Sequence, residues 1–139
     1  MSHQLTFSIK NFFRTTEVGL AIPVGLERNH LSTFREAKID TGSHYCLFQR
    51  EVADDLEIEV LDGYPFYLTT LAGGFTAYAH TVVLDTFGIR FESTVMFIPA
   101  YGTTRNILGR KGWLENLNMA LTMDDEAIYL SSLSSNENL

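Results

Sequence analysis

A chain of 139 residues is long enough for one domain with a buried core, and its 45% hydrophobic and 19% charged content is that of a globular protein. The formal charge of −7, with Arg110-Lys111 the only adjacent basic pair, argues against nucleic acid as a partner, because phosphate binding relies on clustered Lys and Arg. One cysteine, Cys46, cannot close an internal disulfide, and no apolar run nears the ~20 residues of a membrane span, so the expectation is a soluble, cytoplasmic domain without a membrane partner.

In chain order, the pattern is mostly one of short strands. Leu5, Phe7 and Ile9 alternate with polar residues, the period of a half-buried strand. Val18 to Val24 is a second strand whose Pro23 marks an edge or an end. Glu36 to Ile39 enters a tight loop, Asp40-Thr41-Gly42-Ser43. Arg50 to Leu56 reads as a short helix, with Val52, Ala53 and Leu56 on one side and charges on the other. After an Asp62-Gly63 turn, strands over Phe66 to Leu71 and Phe75 to Leu84 are expected to form a hairpin with Ala72-Gly73-Gly74 at its tip. A turn at Asp85 to Gly88 leads to strand from Ile89 to Ile98. Trp113, Leu114 and Leu117 predict a second short helix near Lys111 to Asn116. Two last strands, Met119 to Met123 and Ala127 to Leu130, flank the Asp124-Asp125-Glu126 turn. Residues 1–130 are thus expected to form one all-β domain, and Ser131 to Leu139 a flexible polar tail.

The tetrapeptide Asp40-Thr41-Gly42-Ser43 is the most informative stretch. Taken alone it also fits an ordinary strand-end turn, since Asp and Gly are common turn formers. Downstream lies Asn106-Ile107-Leu108-Gly109-Arg110, followed by the expected helix. Together with the glycine-bearing hairpin at Leu71 to Thr76, these segments resemble, in order, the retropepsin family of single-domain aspartic proteases, in a cellular or bacterial form. The resemblance spans about Glu17 to Leu130.

The resemblance implies an acid-protease fold: a closed, barrel-like β domain with one or two short helices and a flap hairpin near residues 66–84. It also implies a homodimeric endopeptidase without cofactor or metal that acts on peptide or protein substrates. Two carboxylates about 3 Å apart cannot both ionise, so a pair sharing one proton supplies a base and an acid. This chain has one such loop, so the second Asp40 would come from a symmetry mate. Asp85-Thr86-Phe87-Gly88 has an extra residue and reads as a turn. On the family pattern Thr41 bonds across to the partner's loop, and Gly42 allows close approach of substrate. Ser43 is expected to donate a hydrogen bond to Asp40. Leu71, Ala72, Gly73, Gly74, Phe75 and Thr76 would close over substrate, while Ile107, Leu108, Gly109 and Arg110 would support the loop. Phe75, Tyr78, Leu68, Leu71, Phe97 and Ile107 can be read as pocket or as core. Retroviral members place an Asp where this chain has His44, which leaves Arg110 without that acid.

Other readings compete. His44 and Cys46, two apart, could share a strand face as a nucleophile pair, although a buried Cys46 is the simpler reading. His3, His30, His44 and His80 lack paired ligand spacing for zinc. A dimeric binding or scaffold domain that keeps the protease fold without cutting peptides is the main alternative to the enzyme.

Overall fold

The computed structural model describes residues 1–103 and 105–133, and alternating apolar and polar side chains organise most of them into eleven strands. The first half holds β1 (Ile9–Phe12), β2 (Arg14–Thr16), β3 (Gly19–Arg28), β4 (Leu31–Ile39), β5 (Leu47–Phe48) and one helix, α1 (Arg50–Asp55). The second half holds β6 (Tyr64–Thr70), β7 (Gly73–Thr86), β8 (Ile89–Phe97), β9 (Ile107–Leu108), β10 (Leu117–Thr122) and β11 (Ala127–Ser132). The all-β expectation holds. Among the described residues, no helix is long and apolar enough to cross a membrane.

Eight strands make one sheet in the order β2-β3-β4-β9-β5-β8-β7-β6. An additional pairing of β3 with β7, from Gly25↔Asp85 to Glu27↔Val83, joins this sheet back on itself. The ladder therefore closes through β3, β4, β9, β5, β8 and β7, with β2 and β6 hanging outside the circuit. Pro23 fits because it falls where the other edge of β3 is free: β2 takes Gly19 to Ala21 and β7 takes Gly25 to Glu27. Tight hairpins set the registers. Asn29 and His30 join β3 to β4, and Phe87 and Gly88 join β7 to β8, all four with the positive φ that two-residue hairpin turns require. Asp85 Oδ1 accepts the Gly88 N–H at 2.9 Å, so Asp85 serves this turn. The smaller sheet, β1-β11-β10, carries the chain ends.

Inward side chains such as Ile22, Leu26, Phe48, Leu84, Phe97 and Trp113 fill the closed ladder. Trp113 is wholly buried, and its indole N–H donates to Thr86 Oγ1 at 2.9 Å, which satisfies the polar end of a large apolar ring. α1 lays Val52 and Ala53 into this core and exposes Asp54 and Asp55, while Arg50 and Glu51 are half-buried against Pro99 and Gly102.

Four local expectations are corrected. The first strand begins only at Ile9, because the ladder from β11 ends at Ile9↔Leu130 and the Ser8 N–H turns to Ser131 Oγ instead. The helix expected over Lys111 to Asn116 shrinks to a single 3-10 turn, Leu114–Asn116, since Lys111 is held in a bridge to Tyr45. The hairpin tip is Leu71-Ala72; Gly73 and Gly74 already belong to β7, opposite Thr70 and Thr69. Ser131 and Ser132, expected in the tail, belong to β11 and pair with Asn118 and Leu117 of β10, and residues 134–139 lie outside the described part of the chain.

Candidate active site

β4 delivers Asp40 to the site. The strand is hydrogen-bonded on both sides, to β3 and, through Lys38↔Ile107 and Ile39↔Leu108, to β9. The Asp40 N–H extends that second ladder by donating to the Leu108 carbonyl at 2.9 Å. Pairing then stops and the chain turns: Ser43 N–H donates to the Asp40 carbonyl at 3.0 Å, and Gly42 N–H donates to Asp40 Oδ1 at 3.1 Å. These bonds orient the carboxyl, yet its side chain remains 31% exposed. The second oxygen, Oδ2, lies 3.8 Å from Lys38 Nζ. Thr41 is exposed at the turn. The expected bond from Ser43 to Asp40 is absent: the hydroxyl donates to the Tyr45 carbonyl at 2.7 Å, because the turn brings that backbone acceptor nearer.

The Ile107 to Arg110 segment lies against residues 43–46. Arg110 N–H donates to the Ser43 carbonyl at 3.0 Å, and Lys111 N–H to the His44 carbonyl at 2.9 Å. Only glycine fits at 109. A Cβ there would stand 2.7 Å from the Tyr45 carbonyl carbon and 2.9 Å from the Ser43 carbonyl oxygen, and closer still to the Tyr45 oxygen. Leu108 is core, and Ile107 is partly open. Arg110 is exposed and makes no ion pair among the described residues, and His44 is exposed as well. Cys46 is fully buried, with its sulfur 3.3 Å from the Gly109 N–H. Burial pushes its thiol up to about 11, so it is no nucleophile in the folded chain. No group of three His, Cys, Asp or Glu able to hold a metal occurs among the described residues.

The β6–β7 hairpin faces this loop across a cleft of about 690 Å³. Asp40, Gly42, Ser43 and His44 line one side, and Tyr67, Leu68, Thr69, Thr70 and Phe75 the other, with Leu47 and Ile107 between. Of the residues singled out from sequence, the fold thus gathers Asp40, Gly42, Ser43, Phe75, Leu68 and Ile107 around one space. It leaves Thr41 and the hairpin residues Leu71, Ala72, Gly73, Gly74 and Thr76 off the cleft wall. Leu71 is fully exposed at the tip, Tyr78 packs against the core, and Phe97 is part of it. Tyr67, Thr69, Thr70 and Lys38 were missed. Their positions follow from registers, Lys38 sharing Asp40's side of β4 two residues back. That i, i+2 relation was readable, but its meaning needed Asp40's carboxyl direction.

Neither a family model nor a curated protein matches the chain in sequence. Among solved structures it is similar to the EIAV protease complexed with the inhibitor HBY-793, at 15% identity and a TM-score of 0.48, over 65% of this chain and 80% of that one.

Proposed function

We propose that this chain is one subunit of a homodimeric aspartic endopeptidase, in which the Asp40 carboxylates of two copies hold one water. The observation that carries the reading is the Asp40 carboxyl itself, fixed by Gly42 N–H, still open to solvent, and set in the wall of a cleft large enough for an extended peptide. In this reading Thr41 braces the partner's loop, Gly42 and Ser43 shape Asp40, and the hairpin from Leu71 to Thr76 closes over substrate. Ile107, Leu108, Gly109 and Arg110 support the loop from below. A cytoplasmic setting suits the single buried thiol of Cys46.

The chemistry follows from one proton shared between two acids. The ionised carboxylate removes a proton from the water as the water oxygen attacks the peptide carbonyl carbon. The protonated partner gives its proton to the carbonyl oxygen, which leaves a neutral tetrahedral diol. Return of the first proton to the amide nitrogen, with the second carboxylate taking back a hydroxyl proton, breaks the C–N bond and restores the starting state. No cofactor enters.

The contact between Lys38 and Asp40 favours a second reading, a peptide-binding scaffold whose aspartate is neutralised by that ammonium. Purified protein incubated with a denatured protein below neutral pH distinguishes the two. Cleavage that pepstatin-like inhibitors reduce and that Asp40→Asn abolishes supports the enzyme. The Asn Oδ1 can still accept the Gly42 N–H, so the variant should keep its thermal midpoint and its dimer by sedimentation. An Asn variant that cuts as well as the parent refutes the mechanism.

A further inference from the structure

The chain carries −7 overall, yet among the described residues the one ion pair that Asp40 makes is with a lysine. Lys38 Nζ stands 3.8 Å from Asp40 Oδ2, and Lys38 also lines a neighbouring pocket of about 260 Å³ together with Glu36, Asn106 and Arg105. Glu36 is already matched, its Oε2 lying 3.2 Å from Arg14 Nε. Arg105 is exposed and makes no ion pair among the described residues. Within the cleft itself the remaining titratable groups are His44, Tyr45 and Tyr67, so Asp40 is its only carboxylate.

The placement of Lys38 is built into the backbone. Its stem crosses Gly19, where an added Cβ would meet Lys38 Cε at 2.9 Å, and Gly19 holds φ +136°, a conformation open to glycine. The side chain is therefore guided over β3 toward Asp40, and it is only 25% exposed.

This matters once two copies assemble, and the argument here rests on the aspartic endopeptidase reading. A pair of Asp40 groups sharing one proton carries a single negative charge, but two Lys38 ammonium groups face it. One cation is left without a counter-charge, and Arg105 lines the same neighbouring pocket as Lys38. We infer that the site selects peptides with an acidic side chain close to the scissile bond, with Lys38 and Arg105 as the residues that receive it. The apolar wall of Leu47, Leu68, Phe75 and Ile107 takes the flanking side chains.

The test uses short fluorescein-labelled apolar peptides with one central Glu, Gln or Lys, each made both cleavable and with a non-cleavable hydroxyethylene in place of the central bond. Binding of the non-cleavable set to the wild-type protein is read by anisotropy. Glu should bind roughly three- to tenfold more tightly than Gln at low salt, as expected for one or two partly exposed charge pairs, and Lys more weakly than Gln. The gap should narrow at high salt. Lys38→Met, which keeps the stem over Gly19, and the exposed Arg105→Gln should each lower the Glu-to-Gln ratio. Equal binding of Glu and Gln, a ratio unchanged in both variants, or no binding by any peptide overturns the inference. If the non-cleavable set shows the preference while the cleavable set stays whole, the selectivity stands and the proteolytic reading fails. If the cleavable set is cut without regard to the central charge, the reverse holds.

Discussion

Gly109→Ala is the sharpest single perturbation of the site. The φ of Gly109 is outside the left-handed region, so alanine meets no backbone strain there and only sterics operate. Its methyl would sit 2.7 Å from the Tyr45 carbonyl carbon and 2.9 Å from the Ser43 oxygen, where ordinary contact begins at 3.4 Å. Both neighbours are backbone, and both are tied: Ser43 O accepts from Arg110 N–H at 3.0 Å, and Tyr45 O from the Ser43 hydroxyl at 2.7 Å. They cannot rotate aside, so residues 43–45 must retreat by about an ångström. Overpacking of this kind costs about 1–3 kcal/mol, and the rigid neighbours place Gly109→Ala near the upper end. At about 3 °C per kcal/mol for a chain of this size, the thermal midpoint should fall by roughly 9 °C. The same displacement moves the turn that holds Asp40; in the proposed endopeptidase, a 1 Å misplacement of a reacting group costs about 100-fold in rate. Calorimetry and kcat/KM on a denatured-protein substrate read the two effects separately. An alanine variant within about 0.5 kcal/mol of the parent, with unchanged cleavage, would show that the 43–45 backbone is not the wall described here.

Three further outcomes follow from other contacts. In Gly74→Ala the new methyl meets the ring of Tyr67, a flexible side chain, so stability should fall by less than about 1 kcal/mol while Tyr67 swings within the cleft and shifts KM more than kcat. Cys46 is raised from 9.0 to about 11 by burial, so the folded state holds its proton longer than the unfolded one. Its contribution is complete below about pH 9 and is lost as pH rises toward 11, about 3 kcal/mol by linkage, and denaturant melts of Cys46→Ala should lack that decline. A thiol reagent at pH 8 should label Cys46 only on unfolding; rapid labelling of the native chain would contradict its burial.

The segments that surround the candidate site were legible in order along the chain. Asp40-Thr41-Gly42-Ser43, the glycine-bearing hairpin and Ile107-Leu108-Gly109-Arg110 do lie around one cleft or directly beneath it, because each carries local chemistry that sequence expresses: a turn-forming acid, a tight reversal, a glycine where backbones touch. The errors share a cause. Ser43 was paired with Asp40 although the Tyr45 carbonyl competes for its hydroxyl. The Trp113 stripe predicted a helix, but the same periodicity serves a 3-10 turn once Lys111 is bridged to Tyr45. The tip glycines became strand because Thr70↔Gly73 pairing leaves only Leu71 and Ala72 in the turn, which starts one residue earlier.

Alternation and turn chemistry alone determined that this protein is built of strands, that α1 is short and one-sided, and that Asp40 ends a strand. Those properties depend on side chains within a few residues of one another. Only the tertiary structure decided that β3 meets β7 to close the ladder, that Tyr67 and Phe75 face Asp40, and that Lys38 lies against its carboxyl. These are contacts between distant segments, set by strand register. A shift of one residue would send every side chain of a strand to the opposite face, and the register is decided by the packing of the whole core.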